Sequence, residues 1–236
     1  MALLFWGAAY RQRRYVGMKR KLFTLIGLSL ITFVSCSSVE PEEEYISSQI
    51  YPLAIGNQWE YKYEVFQNDS LILSSITKIE VIEKTKVQVD QKELDVYKVK
   101  QTKDAYWTKA TLISYTLYNY EDSMLFSYGF SRTNDSAYYY RKDPYLKYPL
   151  QKGDQWYEDH GDYRNTFICM SVNDEVTIDD KKYNCIRIRT GNGISWYQDK
   201  YYAKGFGLIQ EIAEMKTDSK RYEKTTLLKM KINKPT

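Results

Sequence analysis

Histidine is nearly absent from this chain: His160 is the only one in 236 residues. An imidazole-based metal centre or a serine triad would have to run through that single residue. It sits in Glu158-Asp159-His160-Gly161-Asp162, a glycine-containing turn, whereas metal sites draw three or four ligands from rigid elements. No Gly-x-Ser-x-Gly elbow and no phosphate-binding loop accompany it. The sequence therefore predicts no catalytic residue, no metal site and no cofactor.

Cysteine is scarce as well, with 3 in the chain. Once Cys36 is set aside for the reason given below, Cys169 and Cys185 remain, an even number in an oxidising compartment, where a disulfide has to be considered. A hairpin turn at Asp180-Lys181 would set Cys185 opposite Val176. Cys169 then lies further along that strand, or on the next one if Asn173-Asp174 turns the chain, and both routes exceed the roughly 7 Å limit between Cα atoms. The expectation is no disulfide and two free thiols packed as small hydrophobes.

No apolar run is long enough to span a bilayer comfortably, which takes about 20 residues. The run from Leu22 to Val34 has 13 (34 − 22 + 1). It follows Met18-Lys19-Arg20-Lys21 and precedes Ser35-Cys36, so basic region, apolar region and small residue before cysteine resemble a bacterial lipoprotein signal peptide. Phe33 stands where the commonest lipobox has leucine. Cleavage between Ser35 and Cys36 would leave Cys36 as the lipidated first residue. Residues 1–17 precede a complete signal, so Met18 is the expected start, and Arg13-Arg14 is not continued by a twin-arginine pattern.

A basic surplus is missing too, once the signal is removed. The chain has Lys+Arg 34 and Asp+Glu 30, but residues 1–35 hold Arg11, Arg13, Arg14, Lys19, Arg20 and Lys21 and no acid, leaving 28 − 30 = −2. That removes the main argument for a nucleic-acid partner. Behind Cys36, residues 37–44 are polar and acidic, and 36–50 read as a lipidated cysteine with a flexible tether. The acidic run also resembles the surface-export signal of Bacteroidota lipoproteins; a solvated linker facing the periplasm is the alternative.

What the chain does contain is β pattern. Trp59, Tyr61, Tyr63 and Val65 alternate with Glu60, Lys62 and Glu64, and Leu228, Met230 and Ile232 alternate with Lys229, Lys231 and Asn233, the signature of half-buried antiparallel strands. Further strands are predicted over 76–84, 86–89, 94–101, 112–119, 124–128, 163–172, 175–178, 183–190, 195–202 and 208–215. Turn residues such as Asn68-Asp69, Asn134-Asp135, Asn173-Asp174 and Gly205-Phe206-Gly207 separate most of them. No amphipathic helix longer than two turns follows the signal; the one helical scrap is 45–50.

A nine-residue phrase occurs twice. Tyr51-Pro52-Leu53-Ala54-Ile55-Gly56-Asn57-Gln58-Trp59 returns as Tyr148-Pro149-Leu150-Gln151-Lys152-Gly153-Asp154-Gln155-Trp156, identical at six positions. In each, proline fixes an extended entry, leucine is buried, glycine makes a turn with positive φ, and tryptophan opens a strand. The segments from Val87 and Val176 align at an offset of 89, as do Trp107 and Trp196, and each reads as a hairpin. Two related halves, 51–147 and 148–236, sharing the core of one β domain are therefore expected, and the four tryptophans are read as core.

The chain also resembles a family of uncharacterised bacterial, Bacteroidota-like envelope lipoproteins. The matching residues are the Tyr-Pro-Leu-x-x-Gly-Asn-x-Trp phrase at 51–59, the hairpin at 176–188 with Asp180 where glycine is usual, and the closing strand with Gly205-Phe206-Gly207-Leu208. The resemblance implies a strongly curved antiparallel sheet or incomplete barrel and carries no catalytic residue.

Of the 24 tyrosines, Tyr138, Tyr139, Tyr140 and Tyr145 form the candidate ligand surface, because adjacent tyrosines on one strand cannot all face inward. Such rings could stack on glycan or contact an envelope protein, or simply cover a thin sheet. The function expected is a lipid-anchored outer-membrane protein acting as a non-enzymatic binding module for an apolar or acyl ligand, a glycan or a protein. The competing expectation is an envelope hydrolase in which two of Glu121, Asp122, Glu158, Asp159 and Asp162 converge.

Overall fold

The computed structural model describes residues 49–89, 91–104, 110–132, 141–159, 161, 164–191, 196–215 and 218–233. All lie in the second of the chain's two compact units, Glu43–Thr236. Met18, Ser35, Cys36, the acidic tether and most of the helical scrap at 45–50 fall outside them; Gln49 and Ile50 form a bend.

Every regular element among the described residues is a strand. In chain order they are β1 (Gln58–Gln67), β2 (Ser70–Val89), β3 (Lys92–Asp104), β4 (Thr111–Glu121), β5 (Met124–Ser131) and β6 (Asp143–Lys147), then β7 (Gln155–Asp159), β8 (Arg164–Ile178), β9 (Lys181–Gly191), β10 (Trp196–Ala203), β11 (Gly207–Met215) and β12 (Asp218–Lys231). They form one sheet in the order β6-β5-β4-β3-β2-β1-β12-β11-β10-β9-β8-β7. Each strand pairs antiparallel with its neighbour in sequence, except that β6 and β7 are the two ends of the order and β1 closes on β12. The sheet thus curls into a nearly closed barrel whose gap lies in the middle of the chain.

Turn chemistry sets the meander. Asn68 and Asp69 (φ 50° and 61°) join β1 to β2, and Asp179 and Asp180 (φ 46° and 66°) join β8 to β9. Two left-handed residues in succession match the twist of the flanking strands, and Asn and Asp tolerate that conformation best after glycine. Connections alternate between two ends of the barrel, and the ends differ.

One end is closed by the chain itself. Ile50, Tyr51 and Leu53 are buried at 0%, 5% and 4% exposure. Gly205 N–H donates to the Gln49 carbonyl (2.8 Å) and Gly207 N–H to that of Ile50 (3.0 Å). Tyr51 stacks on Trp59 with centroids 5.0 Å apart and leans on Tyr118 of β4. Its backbone N–H donates to the Tyr120 hydroxyl (3.2 Å), which donates back to the Tyr51 carbonyl (3.0 Å). These contacts tie β1, β4 and the β10–β11 turn together around one inserted segment.

The two phrases make turns of one hydrogen-bond pattern. Gly56 N–H donates to the Val81 carbonyl and Val81 N–H to that of Asn57 (2.8 and 3.0 Å); Gly153 and Cys169 repeat this with Asp154 (2.8 and 2.9 Å). Both glycines have positive φ, 84° and 93°. Each phrase ends on a buried tryptophan at the second position of its strand, Trp59 in β1 and Trp156 in β7. Their difference, Asn for Asp, follows the junction each one serves. The Asn57 amide donates to the Pro52 carbonyl (3.0 Å) and accepts from Asn233 N–H beyond β12 (2.7 Å). Asp154 accepts from Gln151 N–H (3.1 Å) and from Lys147 Nζ at the end of β6 (3.3 Å).

Three expectations are corrected. Leu228 does not share an inward face with Met230, because the β1–β12 register shifts between Glu60 and Tyr61: Leu227 is buried and Leu228 is 38% exposed. Asn173-Asp174 is not a turn, since β8 runs straight through it with register shifts between Cys169, Ser171 and Asp174. The β8–β9 turn falls at Asp179-Asp180, so Cys185 pairs with Asp174 and Val176 with Tyr183. In each case a β-bulge or a one-residue turn shift changed which face a residue occupies.

Candidate functional site

Alternation from the buried ring of Tyr61 fixes which residues line the interior toward the other end. Tyr61 donates to the Leu208 carbonyl at 3.1 Å across the sheet's curve; two residues on, Tyr63 faces the same way. On β12, counting from buried Leu227 puts Thr225, Glu223 and Arg221 inside. On β10 and β11, Lys200 pairs with Glu211 and Gln198 with Ala213; on β3, Lys103 pairs with Thr77. Apolar packing therefore gives way to charge part of the way along the barrel.

These groups contact one another. Lys200 Nζ lies 3.7 Å from Glu211 Oε2, and Gln198 Nε2 donates to Glu211 Oε1 at 3.1 Å. Burial works to lower the Lys200 pKa, but the Glu211 carboxylate, with Tyr145 and Glu158, outweighs it and holds the ammonium above its usual value. The Tyr63 hydroxyl is pushed up, first by burial and then by its hydrogen bond to Glu223. Lys103 Nζ sits 3.7 Å from the Tyr63 ring centroid, a cation–π contact. Burial pushes the Lys103 pKa down, against the pull of Glu223 and Glu211.

Beside this cluster a cavity of about 260 Å³ opens, walled by Trp196, Gln198, Ala213, Glu214, Met215, Arg221, Tyr222 and Glu223. Arg221 Nε and Ser75 Oγ, the latter on the residue paired with Tyr63, are buried without a hydrogen-bond partner among the described residues. A larger depression of about 430 Å³ lies where β1, β2 and β12 meet beside the closed end. Polar groups on its wall already engage each other: Lys78 and Lys229 reach Glu60 (3.7 and 3.9 Å), and Gln58 bonds Glu80 (2.9 Å). The smaller cavity is the one with unspent polar capacity.

The sequence-predicted residues fall elsewhere. Tyr138, Tyr139, Tyr140, Trp107, His160 and Asp162 lie outside the described residues. Tyr145 is half-buried on β6, 5.1 Å from the Tyr118 ring and 5.8 Å from Lys200 Nζ. Trp196 lines the cavity. Glu121 and Asp122 sit at the closed end, the former bonded by Lys142 and Tyr128. Glu158 and Asp159 sit toward the other end, bonded by Asn165 (3.1 Å) and Arg164 (2.5 Å). The structure does not bring the two pairs together. Among the described residues no cluster of His, Cys, Asp and Glu could hold a metal ion. Cys169 and Cys185 are free and buried, and burial pushes the Cys185 thiol up to about 12.

Sequence reasoning missed Lys103, Lys200, Glu211, Arg221 and Glu223. A signal existed, since Glu223 and Arg221, four and six positions from the core Leu227 on one strand, occupy the inward face. Phasing β12 from Leu228 instead of Leu227 inverted that face and hid it.

No family model and no curated protein matches the chain. Two solved structures resemble it. A Bacteroides fragilis protein, described as exported with a YmcC-like fold, is 13% identical over 78% of this chain and 100% of its own, with a TM-score of 0.46. A Parabacteroides distasonis protein, described as a lipoprotein, is 12% identical over 79% of this chain and 100% of its own, with a TM-score of 0.42.

Proposed function

We propose that this chain is an exported, lipid-anchored protein of the cell outer membrane that acts as a non-enzymatic binding module, taking its ligand into the interior at the end away from the inserted segment. The observation that carries the reading is the cavity beside Trp196 and Arg221, at a level where inward side chains are charged and not all satisfied. Ligand pockets combine an apolar wall with a few convergent polar groups, and this one does so. The Met18–Cys36 stretch supplies the address. Gln49 enters at the closed end, so the tether leads from the lipid to that end. The shared turns of the two phrases support a domain built of two related halves, with the β1–β12 ladder and the β6–β7 gap as equivalent junctions.

Against the hydrolase reading stands the separation of Glu121 and Asp122 from Glu158 and Asp159, with Glu121 and Glu158 each engaged by neighbours; Asp162, its fifth candidate, lies outside the described residues. Two measurements test the binding reading. Labelling with a radioactive fatty acid should mark the exported protein and be lost in Cys36→Ser; labelling that persists would refute the anchor. Native mass spectrometry of the protein purified gently from an envelope should show a stoichiometric adduct that Trp196→Ala reduces. An adduct indifferent to Trp196 would place the ligand elsewhere.

A further inference from the structure

Resting on that reading for its lipid anchor, we infer that the lip of the barrel, at the end away from the inserted segment, docks on the surface of a lipid bilayer. Large apolar side chains gather on that lip. Leu71 and Ile72 lie at the start of β2, Leu112 and Ile113 at the start of β4, and Phe130 and Met215 at the ends of β5 and β11; all six are 39–57% exposed. Among the described residues, Ile55 is the one exposed large hydrophobic in a closed-end connection. The six stand on both sides of the wall. Leu112 pairs with Lys103 and Met215 with Trp196, which face inward, whereas Leu71 pairs with Phe66, whose ring stacks on Tyr222 outside at 4.7 Å.

Two arguments name the occupant. The first is geometry. The tips come from β5, β4, β2 and β11, spread through the strand order, so they ring an opening instead of forming one patch. A ring of tips fits a plane, and a bilayer is an apolar plane, whereas a patch on one flank would fit a protein. The second is reach. Residues 36–48 number 13 (48 − 36 + 1) and span roughly 43–47 Å when extended, against roughly 33 Å for the length of β1. A chain anchored at Cys36 and joining at Gln49 therefore leaves the far lip within reach of the same membrane. Depth follows from the charges beside the tips. Asp69, Asp104 and Arg132 are exposed next to them, and a charge in the hydrocarbon core is costly, so the lip rests at the boundary of headgroups and acyl chains. Met215 belongs both to the lip and to the wall of the cavity beside Trp196, so the docked cavity opens toward the membrane.

The full mature lipoprotein, reconstituted into vesicles of phosphatidylethanolamine and phosphatidylglycerol, tests this. Leu71→Cys, Leu112→Cys and, at the closed end, Ile55→Cys each take a thiol-reactive fluorophore. Native Cys169 and Cys185 are buried, and that burial raises both thiol pKa values, so they stay unlabelled. Lipids carrying a nitroxide high on the acyl chain should quench the labels at 71 and 112 roughly threefold or more over the label at 55, and aqueous iodide should do the reverse. Leu71→Asp should restore iodide access to a label at 112, with circular dichroism showing that the fold is kept. Labels at 71 and 112 as open to iodide as the one at 55 would overturn the docking and leave anchor and cavity standing. Shielding from iodide without quenching by the nitroxide lipid would overturn it too, and a dependence on protein-to-lipid ratio would then identify a second copy as the cover. The anchor fails in a different assay, through fatty-acid labelling that does not depend on Cys36.

Discussion

Glycine is required at two positions here for two different sets of reasons. Gly56 and Gly153 occupy the same place in the repeated phrase and both have positive φ. A Cβ at Gly56 would meet Asn233 Nδ2 at 2.6 Å, whereas one at Gly153 would meet nothing within 4 Å. Gly153→Ala should therefore cost only the left-handed penalty, about 1–2 kcal/mol. Gly56→Ala should cost about 1 kcal/mol more, because Asn233 must give up its 3.0 Å bond to the Ile55 carbonyl. Urea unfolding of the two variants checks this, and equal losses would refute it. The neighbouring pair behaves likewise. Asn57→Asp removes the buried donor to the Pro52 carbonyl and should cost about 1–3 kcal/mol. Asp154→Asn removes only a partly exposed pairing with Lys147 and should cost clearly less than Asn57→Asp. A larger loss in the second variant than in the first would sink the argument that each residue is fitted to its own junction.

At the scale of elements, bulges decide what faces where. Leu227 and Leu228 are adjacent leucines on β12, one buried and one 38% exposed. Leu227→Ala should cost about 2–5 kcal/mol, as a buried truncation does, and Leu228→Ala about 0.5 kcal/mol, as a surface change does. Thermal unfolding compares them, and a reversed order would mean that the β12 register is wrong. Much of the fold was legible without coordinates: Asn68-Asp69 announced its turn, Trp59-Tyr61-Tyr63-Val65 its inward face, and the phrase its glycine turn. What stayed hidden was non-local. A bulge is a count of residues on two strands at once, so neither strand's sequence contains it. The closure of β1 on β12 joins residues more than 150 apart in sequence, which no local pattern encodes. The charged lining depends on both, which is why Glu223 and Arg221 were not recognised from sequence while Trp59 was.

At the scale of the whole molecule, closing a sheet around tyrosines makes the protein sensitive to alkali. Tyr51, Tyr61, Tyr118 and Tyr202 all have their hydroxyl pKa pushed well up, burial being the first cause in each. Tyr63, Tyr120 and Tyr128 are raised too, again by burial first. In the unfolded chain each would ionise near its ordinary value of about 10. The sign follows from proton counting: above about pH 10 the folded state holds more protons than the unfolded one, so stability falls as pH rises. Below that value both states are protonated and the tyrosines contribute no slope. Cys185, held up to about 12, adds to the fall from its unfolded value of about 8.5 upward. Several groups acting in the same direction should produce a steep alkaline transition in place of a gradual loss. Ultraviolet absorbance of tyrosinate should show the exposed rings titrating first and the buried set ionising together, in step with loss of the β circular dichroism signal. Buried tyrosines that titrated smoothly near pH 10 with the sheet intact would mean that solvent reaches the interior from the β6–β7 gap, and that the barrel is less closed than its packing implies.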